Sequence, residues 1–247
     1  MRPEGLIMME ERKLMLLIAA VSGILCAVFY LLHDVIGAMN YPGYDPMRQA
    51  VSDLTATDAP SFAAAIGYSS VYGILSILCC VLICLVVREE AKGVRVGIYL
   101  FTAMQFVSAI GYSLFPLTSS GYDGSMQSFV HVYILTILVV VLSIASLIAL
   151  AYFGIKNGRK VLGIAAVIAL IAMMFGAIGS QALPQDVFGL VERFSTYSAV
   201  VFTAFLGFYW YKVSDEDRPN RQWIEKKRGP KALYIVFRAG SRYRASR

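Results

Sequence analysis

Residues 14–33 read LMLLIAAVSGILCAVFYLLH, an uncharged run between Lys13 and Asp34. As a helix rising about 1.5 Å per residue, such a run is about 30 Å long, the thickness of one hydrocarbon core. It is long for a secretory signal and no small-x-small cleavage site comes after it, so it reads as a retained helix. Further runs repeat the pattern along the chain. They are Ala63 to Val87 ending at Arg88, Val96–Phe115 between Arg95 and Pro116, Gln127 to Phe153 before Lys156, Val161 to Leu183 between Lys160 and Pro184, and Phe194–Tyr211 between Arg193 and Lys212.

Composition agrees with this reading. Of 247 residues, 58% are apolar and 15% charged, against about 45–50% and about 25% in soluble domains. Mean hydropathy is +0.65. These values exclude a disordered chain and a disulfide scaffold, and argue against a soluble α/β enzyme. The expected fold class is all-α: a polytopic integral membrane protein with six transmembrane helices in a bundle. The expected division is an N-terminal segment over 1–13, a transmembrane domain over 14–211 and a basic tail over 212–247.

The positive charges set the orientation. Going along the chain, the N-terminal segment holds 3 Lys/Arg, the first loop only Arg48, the next loop 3, the next none, the next 3, the next only Arg193 and the tail 11. The counts alternate throughout, which by the positive-inside rule makes both termini cytoplasmic. The tail carries 4 Asp/Glu against its 11 cations, so it accounts for the net charge of +6. Its basicity therefore predicts no nucleic-acid partner. It predicts either contact with anionic lipid headgroups or a plain topogenic signal. Cys26, Cys79, Cys80 and Cys84 lie inside apolar runs without metal-ligand spacing, as small apolar filler does.

The three outward-going helices end alike. Ile36-Gly37, Ile110-Gly111 and Ile178-Gly179 are each followed by three residues, one large apolar residue and then Pro42, Pro116 or Pro184. Gly permits close helix approach and Pro stops the helix. The bundle then reads as three repeated helical hairpins with similar outer caps.

Polarity concentrates on the outer side. The first outer loop, roughly 37–62, is the longest and carries Arg48 and Asp53. Glu192 and Arg193 stand at the mouth of the sixth helix, where ionisable groups are costly unless paired or functional. Gln127 and His131 share a face of the fourth helix. Gln105, Ser108 and Tyr112 share one on the third. Together they predict a polar cavity open to the outer leaflet between helices 3, 4 and 6, lidded by the first loop. Arg48 and Arg193 would contact an anionic headgroup, Gln127 and His131 would hydrogen-bond it, and Asp53 and Glu192 would orient the arginines. The same residues have a structural reading, as interhelical hydrogen bonds and loop anchors.

Several chemistries are tested and set aside. Two histidines, His33 and His131, are too few for a His₃ metal centre, so no metal and no cofactor are expected. There is no GxSxG elbow, phosphate loop or HExxH. The helix centres carry no Asp, Glu, Lys or Arg, which disfavours ion-coupled transport. The weak catalytic candidates are His131 as general base with Asp53 or Glu192 as its partner.

Tyr41-Pro-Gly-Tyr-Asp-Pro46, Gln49-Ala-Val-Ser-Asp-Leu-Thr55, Phe115-Pro116, His131 and Gly189-Leu-Val-Glu-Arg193 resemble, in order, the prokaryotic domain-of-unknown-function family 998 of six-helix membrane proteins. The resemblance covers residues 10–211 and brings no activity with it. Val51-Ser-Asp-Leu54 followed by Pro60 is similar, more distantly, to the Frag1/DRAM/Sfk1 membrane-protein group, although Ala56 and Thr57 stand where that group tends to have Gly. That second resemblance implies a lipid-linked role. The leading expectation is a lipid-interacting protein of a prokaryotic plasma membrane. An intramembrane lipid-modifying transferase or hydrolase, and a scaffold whose outer loops bind a protein partner, are the alternatives.

Overall fold

Hydropathy alone would stop the first helix at Asp34, yet α1 (Pro3–Met39) runs through it. Asp34 is buried and holds the Arg193 guanidinium at 2.8 Å. A compensated charge does not end a helix, so α1 continues to the first loop. The structure is a computed structural model that describes residues 3–214, with side chains from Glu10 onward. Residues 215–247, most of the basic tail, lie outside the described residues.

The other helices track the apolar runs. α2 is Phe62–Val86, α3 is Lys92–Leu114, α4 is Met126–Lys156 and α5 is Lys160–Ala182. A further helix, α6, occupies 188–214. It starts six residues before the apolar run expected at Phe194, so Gly189, Glu192 and Arg193 sit inside its first turns. By length and composition, five helices, α1 to α5, suffice to cross a membrane. Ser195, Thr196, Tyr197 and Ser198 dilute the apolar character of α6, which nevertheless lies antiparallel along α1. A Cβ on Gly207 would stand 2.6 Å from the Ala19 carbonyl oxygen and one on Gly23 would stand 3.0 Å from that of Thr203. Further along the same seam the Tyr30 and Tyr197 rings meet at 5.1 Å, and beyond them Asp34 meets Arg193. Among the described residues every regular element is helical.

The loops over 40–61, 115–125 and 183–187 share one face, called here the loop face. The packed core lies toward the opposite face. There Leu16, Cys79, Ile83, Ile98, Phe101, Leu147, Leu150, Leu162, Phe202 and Leu206 form one buried cluster. Cys26, Cys79 and Cys80 are buried and free, as filler. Arg159 reaches Glu90 through two nitrogens, at 3.2 and 2.5 Å, and ties the α4–α5 turn to the α2–α3 turn. The outward surfaces are apolar: Leu17, Val21, Ile24, Leu31 and Val35 run exposed down α1. So extensive an apolar exterior suits a lipid solvent and not water.

The glycines of the three similar helix ends have a common use. A Cβ on Gly37 would stand 3.0 Å from Leu54, on Gly111 2.7 Å from Leu135, and on Gly179 2.5 Å from Val191. In each case the neighbour lies on the chain returning within the same hairpin. Only hydrogen at that position lets the returning segment pack so close.

The expected face of Gln105, Ser108 and Tyr112 is split. α3 winds as a π-turn over Val107–Gly111 and α4 does so over Val130–Leu135. A π-turn inserts an extra residue and so rotates the helix beyond it relative to the helix before it. Gln105, before the turn, is buried and donates to the Thr203 hydroxyl at 2.6 Å on α6. Tyr112, after it, meets the Thr136 hydroxyl at 3.1 Å on α4.

The α1–α6 seam leaves no room for a side chain, because the atoms facing Gly207 are backbone. Gly207→Val will lower the melting temperature in detergent, with a destabilisation on the order of 1–3 kcal/mol. Gly67→Val, at a position with no atom within 4 Å of its Cβ site, will leave the melting curve in place.

Candidate functional site

Loop 40–61 is not a solvated strap. Its 3₁₀ turn Val51–Thr55 carries Val51 and Leu54 into the bundle, where Leu54 is fully buried. Four of the six expected site residues lie in the loop or fasten it.

Arg193 is the principal fastener. Its Nε and Nη2 donate to the two Asp34 carboxylate oxygens at 3.0 and 2.8 Å. Nη2 also donates to the Tyr44 hydroxyl at 2.8 Å. Nη1 donates to the carbonyls of Pro46 at 2.7 Å, Gln49 at 3.1 Å and Gly189 at 2.9 Å. The planar fork suits this many acceptors, and a lysine would not. Tyr44 in turn donates to the Ala50 carbonyl at 2.8 Å. Burial, opposed by the pull of Arg193, pushes its phenol well above the usual range, so it stays protonated and donating. Gly189 lies under the loop: a Cβ there would strike the carbonyl oxygens of Gln49 and Pro46. Leu190 N–H donates to the Met47 carbonyl at 3.1 Å.

Asp53 fastens the loop from its other side. It is buried, and it accepts the Ser120 hydroxyl at 2.7 Å and the Gly121 N–H at 3.1 Å. Gly121 has φ of +75°, which turns that N–H toward the carboxylate. Thr57 N–H bonds the Leu117 carbonyl at 2.9 Å beside it. Nearby, hydrogen bonds from the Thr118 hydroxyl and from Ser125 hold the exposed Asp123 carboxyl well below its usual range. Arg48 is exposed and pairs loosely with Asp45 at 3.5 Å and Asp186 at 3.2 Å.

The orientation expected of Asp53 and Glu192 is therefore absent. Asp34, to which the sequence pattern assigns no site role, orients Arg193. Glu192 instead accepts the Val51 N–H, at a long 3.4 Å. Gln127 and His131 share a face as expected, but they grip the end of α3. Gln127 donates to the Pro116 carbonyl at 2.8 Å, and His131 Nδ1 lies 2.7 Å from the Phe115 carbonyl. Those carbonyls have no helical partner past the helix end. A carbonyl only accepts, so His131 carries its proton on Nδ1 and a lone pair on Nε2. Among the described residues no hydrogen bond joins His131 to Asp53 or Glu192.

Beneath the loops lies a cavity of about 1340 Å³ bordered by α1 to α6. Its polar wall includes His33, Asp53, His131, Glu192 and Thr196, and Arg48 borders it too. Gln127 and Arg193 do not border it. His33 is a site residue that sequence reasoning misses. It is 4% exposed, and neither ring nitrogen has a hydrogen-bond partner. Its signal in the sequence is its place one residue before a charge, which does not say which way the ring faces.

Removing Arg193 strands the buried Asp34 carboxylate. Arg193→Ala will destabilise the protein by on the order of 3 kcal/mol. Asp34→Asn with Arg193→Ala will cost less than the two single changes summed, measured as melting temperatures in detergent across a double-mutant cycle.

No curated protein and no solved structure matches the chain. The likeness to the Frag1/DRAM/Sfk1 group therefore rests on the first-loop residues alone. The family model described as protein of unknown function (DUF998) matches residues 24–209 and so covers the whole loop clasp and the cavity. The chain belongs to that family of multi-pass membrane proteins, DUF998.

Proposed function

We propose that this membrane protein binds a lipid in the cavity under the loop face. The observation that carries the reading is the cavity's double lining. Ile74, Ile110, Ile137 and Val141 border it and are also exposed on the apolar exterior. His33, Asp53, His131 and Glu192 border it beneath the loops. An apolar wall continuous with the bilayer, next to a polar wall under a lid, fits an amphiphile whose chain lies among the helices and whose head lies under the loops. Arg48, on weak exposed ion pairs, is the cation free to exchange them for an anionic headgroup. Arg193 serves the lid, since all its donors are committed within the protein. In this reading α6 is a sixth crossing and both termini are cytoplasmic. The membrane is a prokaryotic plasma membrane, and the basic tail rests on anionic lipid.

A lipid-modifying enzyme is the second reading. It is favoured by the His131 lone pair on Nε2, held in one tautomer by the Phe115 carbonyl. It lacks a carboxylate bonded to that ring. A scaffold role would be better served by a filled bundle than by a cavity of about 1340 Å³.

Mass spectrometry of protein gently extracted from its own membrane tests the main reading. Stoichiometric lipid is expected, and it is reduced in Ser108→Trp, which places an indole in the cavity wall. A lipid-free wild-type protein would refute it. Orientation has its own test. A cysteine at Tyr122 will react with an impermeant maleimide on intact cells, and one at Asn157 only after lysis. The native Cys26, Cys79 and Cys80 are buried, and the partly exposed Cys84 is replaced by Ser in the background used for the test.

A further inference from the structure

Two carboxylates, Asp53 and Glu192, line the cavity, and neither forms an ion pair among the described residues. Asp53 has both carboxylate oxygens bonded, to Ser120 and Gly121. Glu192 does not: its one hydrogen bond is the 3.4 Å contact with Val51 N–H, and among the described residues it makes no ion pair. The neighbouring Arg193 lies within Coulombic reach of Glu192, but its donors go to α1, the loop and Gly189, and its direct partner is Asp34. Arg48 borders the cavity from the loop on exposed pairs with Asp45 and Asp186 and makes no pair with Glu192. A carboxylate in a low-dielectric wall without a counter-charge is costly unless a cation is supplied.

A second, independent feature lies in the same wall. His33 is 4% exposed and both its ring nitrogens are orphaned. A buried polar group in that condition calls for a partner from outside the fold. Aromatic rings surround the place. Tyr30 and Tyr72 border the cavity with their ring centroids 4.8 Å apart, and Tyr30 lies 5.8 Å from the His33 ring. Tyr30 and Tyr112 both lie within Coulombic reach of Glu192. Thr196, one turn along α6 from Glu192, adds a hydroxyl.

We propose that this chamber, formed by Glu192, His33, Tyr30, Tyr72 and Thr196, binds a primary ammonium group. The carboxylate supplies the charge and the tyrosine faces favour a cation. A primary ammonium carries three N–H donors, which match the Glu192 carboxylate, a ring nitrogen of His33 and the hydroxyl oxygen of Thr196, whose own proton goes to the Arg193 carbonyl at 3.3 Å. A quaternary ammonium has none to give. Such a group comes either as the headgroup of an aminophospholipid or as a free small amine. The first source rests on the lipid reading above, and the second does not.

The experiment reconstitutes the full chain in mixed micelles of phosphatidylethanolamine, phosphatidylcholine and phosphatidylglycerol in equal amounts, and identifies retained lipid by native mass spectrometry. A melting series with ethanolamine, and with ethylene glycol as its uncharged analogue, runs in parallel. Phosphatidylethanolamine is expected to be retained at least about fivefold over the other two. Glu192→Gln, which keeps an oxygen for the Val51 N–H, is expected to abolish that preference while lipid is still retained. His33→Phe, which keeps the ring and removes both nitrogens, is expected to weaken it. Lipid retained without preference, with no stabilisation by ethanolamine, would overturn the ammonium site and leave the lipid reading standing. Stabilisation by ethanolamine but not by ethylene glycol, with no lipid retained, would support the site for a free amine and remove the lipid reading. Equal retention of phosphatidylcholine and phosphatidylethanolamine would overturn the primary-ammonium assignment. Where Glu192→Gln fails to fold, the wild-type preference and the two melting series still decide.

Discussion

A guanidinium buried at the edge of a helix bundle must have each N–H matched by an acceptor, or the fold loses more than the group contributes. Arg193 meets that condition with two carboxylate oxygens, one phenol and three backbone carbonyls drawn from α1, the first loop and its own helix. Much of the loop face depends on this match. It lets α1 continue past Asp34, and it seats the loop on Gly189. It also fixes Tyr44 and thereby the turn of chain that carries Asp53 to the α3–α4 loop. The residues that fasten loop 40–61 to the bundle are thus largely the residues that make the loop face look like a binding site in the sequence.

The apolar runs, their order and the gathering of polarity on one face are legible in the sequence, because length and charge in a low-dielectric solvent leave few alternatives; the ends of α1 and the start of α6 are not. The pairings are not. Glu192 and Arg193 are adjacent, which invites reading them as partners. Successive helical residues point about 100° apart, however, so one faces the cavity and the other faces α1. Asp34 looks like a helix stop because its partner is 159 residues away in the chain. The π-turns leave no mark in the hydropathy pattern, and they are what separates Gln105 from Tyr112. Gln127 and His131 share a face, but Gln127 does not reach the cavity, and the carbonyls that both hold are left free by the end of α3 at Pro116.

The two halves of the bundle differ in kind. Away from the loops, glycine contacts and a dense apolar cluster lock the helices together, and Gln105 bonds Thr203 within the bundle. Toward the loops the helices stand apart around a cavity, and π-turns in α3 and α4 occur at that level. Such turns are frequent at functional sites, since they break the regular ladder and re-aim side chains. Here the re-aimed residues are Tyr112 and His131, whose rings lie 4.5 Å apart. The rigid half holds the positions of the helices that the hollow half uses.

The clasp also bears on how the protein is made. Asp34 leaves the ribosome long before Arg193, so α1 enters the bilayer with a carboxylate whose counter-ion has not yet been synthesised. Its place near the end of α1 allows it to remain in the interfacial water during that interval. The counter-ion and the anchor of the first loop both come with α6, so a chain that stops short of residue 193 lacks the partner of Asp34 and the principal fastener of the loop. The loop's fastening is thus a late event in synthesis, since it waits on a residue 159 positions downstream of Asp34.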